Sequence, residues 1–549
     1  MSETNNTVAT APNGATIKDP IKEGLARGWK VLGGGHGALP EKLDCDVVIV
    51  GSGAGAGITA ELLAKAGLRL VIVEEGPLRS SSQFRQREAE AYPELYQESA
   101  ARKTADKAMN ILQGRCVGGS TTVNWTSSFR TPPDTLGWWQ QEFGLKELGV
   151  EQMAPWFEQV ERRLGIAEWA GEPNHNNSVL RRGAVKLGIE APTMRRNVRG
   201  CWNLGSCGMG CPTNAKQSML ITTLPTALDL GATLVVQSRA VALEWEGTRI
   251  KRLRCQPVAL NGDAAGQPFT ITAKHFVVAG GAINSPALLM RSALPDPHGR
   301  LGQRTFLHPT VVSAGAFDER IEGWAGAPQS IYSDHFLHTG PVDGPISYKL
   351  EVAPTHPALL ASTTSGHGRD FTEVLKSFPH THAMLALLRD GFHKESVGGT
   401  VRLNMDGSAV LDYPLNGYLM DGVRRALLSM AELQFAAGAK SVTPGHENAK
   451  AYTSWAEAKA AINALPYVPY LSRVVSAHVM GGCALSADPS RGVVRPDGRH
   501  WQIENLSVHD GSLFPTSIGA NPQVSVYGQA NRLSTALAKQ LTGKDVQLA

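Results

Sequence analysis

The sequence predicts an α/β chain built on a parallel, doubly wound sheet, and three observations carry that prediction. Val47-Val48-Ile49-Val50 is a continuous apolar run that ends in a glycine-rich turn. A helical stretch, Ala60 to Ala66, follows. A second apolar run, Leu70-Val71-Ile72-Val73, comes directly after Gly67. Strand, glycine turn, helix and strand in this order form a βαβ unit. The two runs are apolar throughout rather than alternating, as strands covered on both faces require.

The turn itself reads Gly51-Ser52-Gly53-Ala54-Gly55-Ala56. Gly51 allows the tight turn, Gly53 lets backbone approach a pyrophosphate, and Ala56 is small enough for helix–strand packing. The following helix N-terminus offers partial positive charge to phosphates. Glu74 closes the second strand 23 residues after Gly51, where a carboxylate can bond a ribose hydroxyl. Together these features predict dinucleotide binding on a Rossmann-like domain. They do not separate FAD from a nicotinamide.

Composition bounds the alternatives. The chain has 549 residues with 53 basic and 49 acidic side chains, a formal charge of +4. That charge is too small at this length to argue for nucleic acid. Hydrophobic residues make up 42% and charged residues 19%, which excludes disorder throughout. No apolar run approaches the roughly 18 residues of a membrane helix. Residues 1–40 read as a polar tail without a basic-then-apolar leader, so a cytoplasmic protein is expected, with co-export beside a signal-bearing partner as the alternative. Seven cysteines are too few and odd in number for a disulfide scaffold. Glycine is abundant at 58 residues and shows no period, so it marks places of backbone freedom or close approach.

Further along lie Trp138-Trp139, Trp156-Phe157 and Trp202. Phe276-Val277-Val278-Ala279 leads through Gly280-Gly281 into a helix over Ser285–Arg291, a second strand–turn–helix. Residues 310 to 470 are mixed and carry several His and Pro. The end, from Leu506-Ser507-Val508 to Leu541, is again strand, loop and helix. The returning motifs predict two interleaved domains. The dinucleotide-binding domain is expected over 41–135, 205–310 and 475–549, and the substrate domain over 136–204 and 311–474.

Cys201, Cys207 and Cys211 fall within eleven residues, separated by Gly and Pro. Tight thiolate clustering suits an iron–sulfur cluster. Reduced thiols in a loop are the alternative, and zinc a third, although zinc wants four ligands. Cys45, Cys255 and Cys483 read as small buried apolar residues.

Several blocks resemble the glucose–methanol–choline (GMC) flavin oxidoreductases. Gly114-Arg115-Cys116-Val117-Gly118-Gly119-Ser120-Thr121-Thr122-Val123-Asn124 is similar to their first signature, and Ala279 to Leu289 to their second. His478-Val479-Met480-Gly481-Gly482-Cys483, Asp510-Gly511-Ser512 and Asn521-Pro522 resemble their catalytic end. Lys216-Gln217-Ser218 is similar to the cholesterol-oxidase side of the family, and Phe371 to Arg402 to long-chain fatty alcohol oxidases. The resemblance implies an FAD domain of GMC type with an interleaved α+β substrate domain that contains an antiparallel sheet. It implies FAD, with the carbinol hydride of an alcohol passing to flavin N5. Val123 stands where some members carry a tethering His, so the FAD is expected to be non-covalent.

By the same resemblance, His478 is the base and Asn521 its partner. The flavin is expected against Gly51, Gly53, Ala54, Ala56, Glu74, Gly114, Gly118, Gly119, Ser120, Asn124, Ala279, Gly280, Asp510, Gly511 and Pro522. His308 and His509 are left as structural. The cysteine spacing is similar to that of bacterial FAD glucose dehydrogenases with a 3Fe–4S cluster, though it lacks a Cys directly after Cys201. The expected substrate is a primary or secondary alcohol, hydrophobic or bulky, oxidised to aldehyde or ketone. A dehydrogenase is placed ahead of an oxidase, with quinone, cytochrome or oxygen as acceptor and a membrane-associated redox partner as one route to it. The rival functions are a hydroxynitrile-lyase-type enzyme, a sugar dehydrogenase with an iron–sulfur relay, and an electron-transfer subunit without a substrate site.

Overall fold

The computed structural model describes residues 17–364 and 367–548. Two sheets organise the chain. In the first, Lys42–Val50 and Leu70–Val73 lie side by side and parallel, with Val47 opposite Leu70. Their apolar runs are buried on both faces, so the strands lie in the interior of the sheet. The helix Ala54–Lys65 crosses between them. Thr233–Val235 extends the sheet beyond Leu70–Val73.

On the other side of Lys42–Val50 runs Phe269–Val278, also parallel. This strand divides its free edge between two partners. Its first half pairs antiparallel with Arg249–Pro257, Phe269 opposite Cys255. Its second half pairs parallel with Leu506–Val508, Phe276 opposite Leu506. The long helix Gln523–Thr542 packs against Ala54–Lys65 and closes the layer.

The second sheet carries the order Tyr332–Ser333, Tyr348–Val352, Thr381–Leu388, Thr310–Ala316, Val474–Ser476, Met109–Ile111, with Ser441–Pro444 beside the far end of Thr310–Ala316. Every pairing is antiparallel except that of Val474–Ser476 with Met109–Ile111. Tyr348, Leu350 and Val352 point into one core with Met384, Ala386 and Leu388. Alternation sends Lys349 and Glu351 to the other face, alongside Leu385 and Leu387. The helix Gly417–Ala436 covers the core face through Leu427, Met430 and Leu433.

The domain boundaries read from sequence need four corrections. The expected tail folds from residue 20: Pro20–Ala26 is a helix and Lys30–Leu32 an edge strand beside Thr233–Val235, anchored by Trp29, whose indole N–H donates to Asp229 at 2.7 Å. Residues 136–166, expected with the substrate domain, pack into the core of the first sheet. Phe157 and Leu164 are buried there because the helix Val150–Leu164 turns its apolar stripe to Gln523–Thr542, and Trp139, on the helix Pro133–Phe143, stacks on Phe514. Met109–Ile111, expected with the FAD domain, is an edge strand of the second sheet. Finally, the hairpin Thr400–Leu403/Ala409–Asp412 reaches over the dinucleotide end of the molecule, held there by Arg291, which donates to Gly407 O.

No helix among the described residues is long and apolar enough to cross a membrane.

Candidate active site

One cavity of about 870 Å³ runs between the two sheets. Its size is typical of a site that engulfs an organic ligand. At one end it is walled by backbone. Gly51, Gly53 and Ala54 of the first turn face Gly114, Gly119 and Ser120 of the second glycine segment. The two loops touch: a Cβ on Gly119 would lie 2.7 Å from Gly53 Cα, and the Gly119 backbone has φ +55°. Only glycine permits both the conformation and the approach. The seam leaves amide groups and a helix N-terminus facing a shared groove, a natural phosphate cradle. Ala279, Gly280, Asn124, Gly511 and Pro522 also line the cavity.

Two expected contacts, Ala56 and Gly118, lie off the cavity lining. Ala56 is fully buried inside its helix and serves packing. Gly118 lies behind the groove, its N–H donating to Ser52 Oγ at 3.0 Å. Asp510 lines the cavity, yet both its oxygens are engaged: Oδ1 accepts from the Ser512 amide and hydroxyl, Oδ2 from the Gly281 amide and Ser285 hydroxyl. It ties its own loop to the turn that carries Gly281 and Ser285, beside the cofactor groove. Glu74 lines the groove at the end of its strand, accepting from Ser52 Oγ at 2.5 Å and from the Gly76 amide at 2.8 Å. Each carboxylate oxygen keeps a lone pair for a ribose hydroxyl.

The far end of the cavity holds His478, Asn521 and a carboxylate that sequence reading missed, Glu351. The histidine is fixed by a second one. His308 and His478 approach through Nδ1 atoms 3.0 Å apart, their rings edge to face. The Gly519 amide donates to His308 Nε2 at 3.0 Å. An amide can only donate, so His308 Nε2 is an acceptor and its proton sits on Nδ1. His308 therefore donates to His478 Nδ1. Burial holds the His478 imidazole down at about 4, so it is neutral at physiological pH and carries its hydrogen on Nε2, the ring nitrogen left to the cavity. Burial and the neighbouring positive charges likewise hold His308 well below its ordinary 6.5.

Glu351 is fully buried. The Gln329 and Asn521 side-chain amides both donate to Oε2, at 2.6 and 3.2 Å. Oε1 has no partner. Burial pushes this carboxyl up to about 7, against the opposing pull of the Lys349 ammonium and the Asn521 bond. His478 and the Glu351 carboxyl thus line one cavity, the first with Nε2 as its remaining ring nitrogen and the second held through Oε2 by Gln329 and Asn521. That pairing can hold a hydroxyl and remove its proton. Leu385, Leu387 and Trp125 give the same end an apolar wall.

The cysteine loop lies outside the cavity. Cys201, Cys207 and Cys211 are half-buried and unpaired. Their sulfurs have separate neighbours: the Asn203 amide at 3.4 Å, the Arg196 guanidinium at 4.0 Å and the Thr213 hydroxyl at 3.4 Å. No group of three or more His, Cys, Asp or Glu among the described residues is arranged to hold a metal ion. The geometry gives the iron–sulfur and zinc expectations no support. The loop instead buttresses the second glycine segment: buried Lys216 donates to the carbonyls of Thr122, Asn124 and Cys207 at 2.7–2.8 Å.

A glycine-walled groove and a buried group of His478, Asn521 and Glu351 thus open on one cavity. Comparison with known proteins gives the family. The two GMC oxidoreductase models match residues 92–310 and 395–530. The chain is 31% identical over 510 residues to an uncharacterized GMC-type oxidoreductase of Mycobacterium tuberculosis, covering 92% of this chain and 77% of that protein. It is 28% identical over 531 residues to the long-chain-alcohol oxidase FAO4A of Arabidopsis thaliana, covering 94% and 68%. Among solved structures, pyridoxine 4-oxidase from Mesorbium loti superposes with TM-score 0.65 at 18% identity, covering 89% of this chain and 98% of that one. Formate oxidase of Aspergillus oryzae RIB40 gives 0.66 at 16%, covering 91% and 99%. These two share the fold. The chain belongs to the GMC oxidoreductase family.

Proposed function

We propose that the protein oxidises a hydrophobic alcohol to the aldehyde or ketone with non-covalent FAD as its cofactor. The observation that carries this reading is the single cavity joining the glycine groove to His478, Asn521 and Glu351. The backbone cradle fits a pyrophosphate, and Val123, beside the groove, offers no nucleophile for a covalent tether. FAD bound there supplies a two-electron acceptor for the carbinol hydride.

The chain's own groups handle the proton. His478 Nε2–H donates to the substrate oxygen and orients the carbinol. Glu351 Oε1 accepts the hydroxyl proton, while Asn521 and Gln329 hold Oε2 and fix the carboxylate plane. The base expected from sequence at His478 thus becomes a donor, because His308 occupies its Nδ1. Leu385 and Leu387 favour an alkyl or aryl group over a sugar, since a sugar's hydroxyls would be left unpaired against them. Molecular oxygen is the acceptor we propose in place of the dehydrogenase reading, supported by relatives that are named oxidases.

The test is anaerobic mixing of purified flavoprotein with a series of primary alcohols and with sugars. Loss of the oxidised flavin absorbance with the longer alcohols is expected. Bleaching by sugars alone would refute the substrate class, and no bleaching by any alcohol would refute the reaction.

A further inference from the structure

Lys349 is a buried cation two residues from Glu351 on one strand, and no reaction role is yet attached to it. Its side chain is 1% exposed. The ammonium lies 3.6 Å from the ring centroid of Phe129 and 4.1 Å from that of Tyr332, two rings that meet edge to face. Asp334 closes the third side at 2.5 Å. Burying an ammonium is costly, and an aromatic cage with one carboxylate is a specific way of keeping it charged.

We infer that Lys349 is a positioning residue whose caged charge sets how tightly Glu351 holds a proton. This rests on the reading of Glu351 as proton acceptor. The strand register carries the geometry. Lys349 and Glu351 lie opposite Leu387 and Leu385, so both stand on the same sheet face, where Glu351 lines the cavity and Lys349 sits in its cage. Residues two apart on a strand are separated by about 6.6 Å and are neighbours on one face.

The other charges around Glu351 are arranged unequally. Asp334 is 34% exposed and borders a second, smaller cavity with Phe129, Leu337 and Gly519, so solvent weakens its field. His308 and His478 are neutral. Arg389, paired with Asp134 at 2.6 Å, follows Leu388 and so lies four residues along the neighbouring strand from Leu385, the residue opposite Glu351, which sets it farther from the carboxyl than Lys349. Lys349 is left as the main nearby charge that favours the ionised carboxylate, and Asp334 as the one that opposes it.

The two partners therefore pull the site in opposite directions, which separates electrostatics from folding. The experiment follows the pH dependence of flavin reduction by an alcohol in anaerobic stopped flow. For Lys349→Met the midpoint should move up by about one to two pH units, from the loss of a unit charge at this range. For Asp334→Asn it should move down. A purely structural role would shift both variants the same way or change only the rates. Midpoints that stay put, or move together, overturn the inference. Should Lys349→Met fail to fold, Asp334→Asn alone decides by its sign. Glu351→Gln runs in parallel: wild-type rates in that variant would sink the Glu351 reading itself, whereas a crippled Glu351→Gln with unmoved midpoints elsewhere sinks only the role of Lys349.

Discussion

Replacing Glu351 by glutamine should make the protein slower and more stable at once. The carboxyl ionises near 4.5 in an unfolded chain and at about 7 in the folded one. Below pH 4.5 both states hold the proton and nothing is lost. As pH rises to 7 the unfolded chain releases a proton that the folded chain retains, so stability falls. Above 7 the full penalty is present, and the gap corresponds to roughly 3 kcal/mol. Glutamine has nearly the same shape and no charge, so it removes that penalty. For a chain of this length, roughly 3 kcal/mol corresponds to ~3 °C in melting temperature. Thermal unfolding of the two proteins should therefore differ by about that much at pH 8 and coincide at about pH 4. Turnover of the variant should drop by roughly 10²–10⁴ at pH 8, the range for a lost acid–base group. Equal melting temperatures at pH 8, or a variant that keeps its turnover, would refute the reasoning.

Three other outcomes follow from the same geometry. His478→Ala should lower the rate of flavin reduction by roughly two orders of magnitude or more with flavin still bound, while the pH midpoint near 7 stays; a midpoint that vanishes would reassign the titrating group to His478. Gly51→Ala should purify without flavin, because its Cβ would sit 2.3 Å from Ala279 O at a backbone φ of +102°, and absorbance at the flavin bands reads this directly. Trp139→Ala should cost about 3–5 kcal/mol, since the indole is 1% exposed, stacks on Phe514 at 5.3 Å and donates to Thr516 at 2.7 Å; calorimetry should find a melting temperature lower by a few degrees.

The parts of the fold legible in the sequence are those with local signals. Val47–Val50, the glycine turn and Leu70–Val73 announce themselves because a doubly covered strand must be apolar throughout and a tight turn must be glycine. The hidden parts depend on distant partners. Lys30–Leu32 is three residues long and becomes a strand only because Thr233–Val235 offers an edge. In Tyr348-Lys349-Leu350-Glu351-Val352 the charges alternate with apolar residues, the pattern of a half-exposed strand. A cavity face and a solvent face look identical in that code, so Glu351 was missed. His308 was missed for a related reason: its meaning comes from His478, 170 residues away, and from the Gly519 amide. His509, by contrast, is the structural residue its lone position implies, bonded to Thr59 and Ser534 in the core.

The divided strand Phe269–Val278 bears on how the molecule is made. Its second half waits for Leu506–Val508, and the groove is roofed by residues 510–526. Ribosomes add about 5–20 residues per second, so roughly 10–50 s separate the synthesis of these neighbours. Throughout that interval a buried, apolar strand edge lacks its partner, the situation in which nascent chains stick to one another. Cofactor capture is accordingly a late event, reserved for a chain almost finished. Chains truncated before residue 510, although they keep His478, should purify without flavin, which absorbance at the flavin bands reads directly.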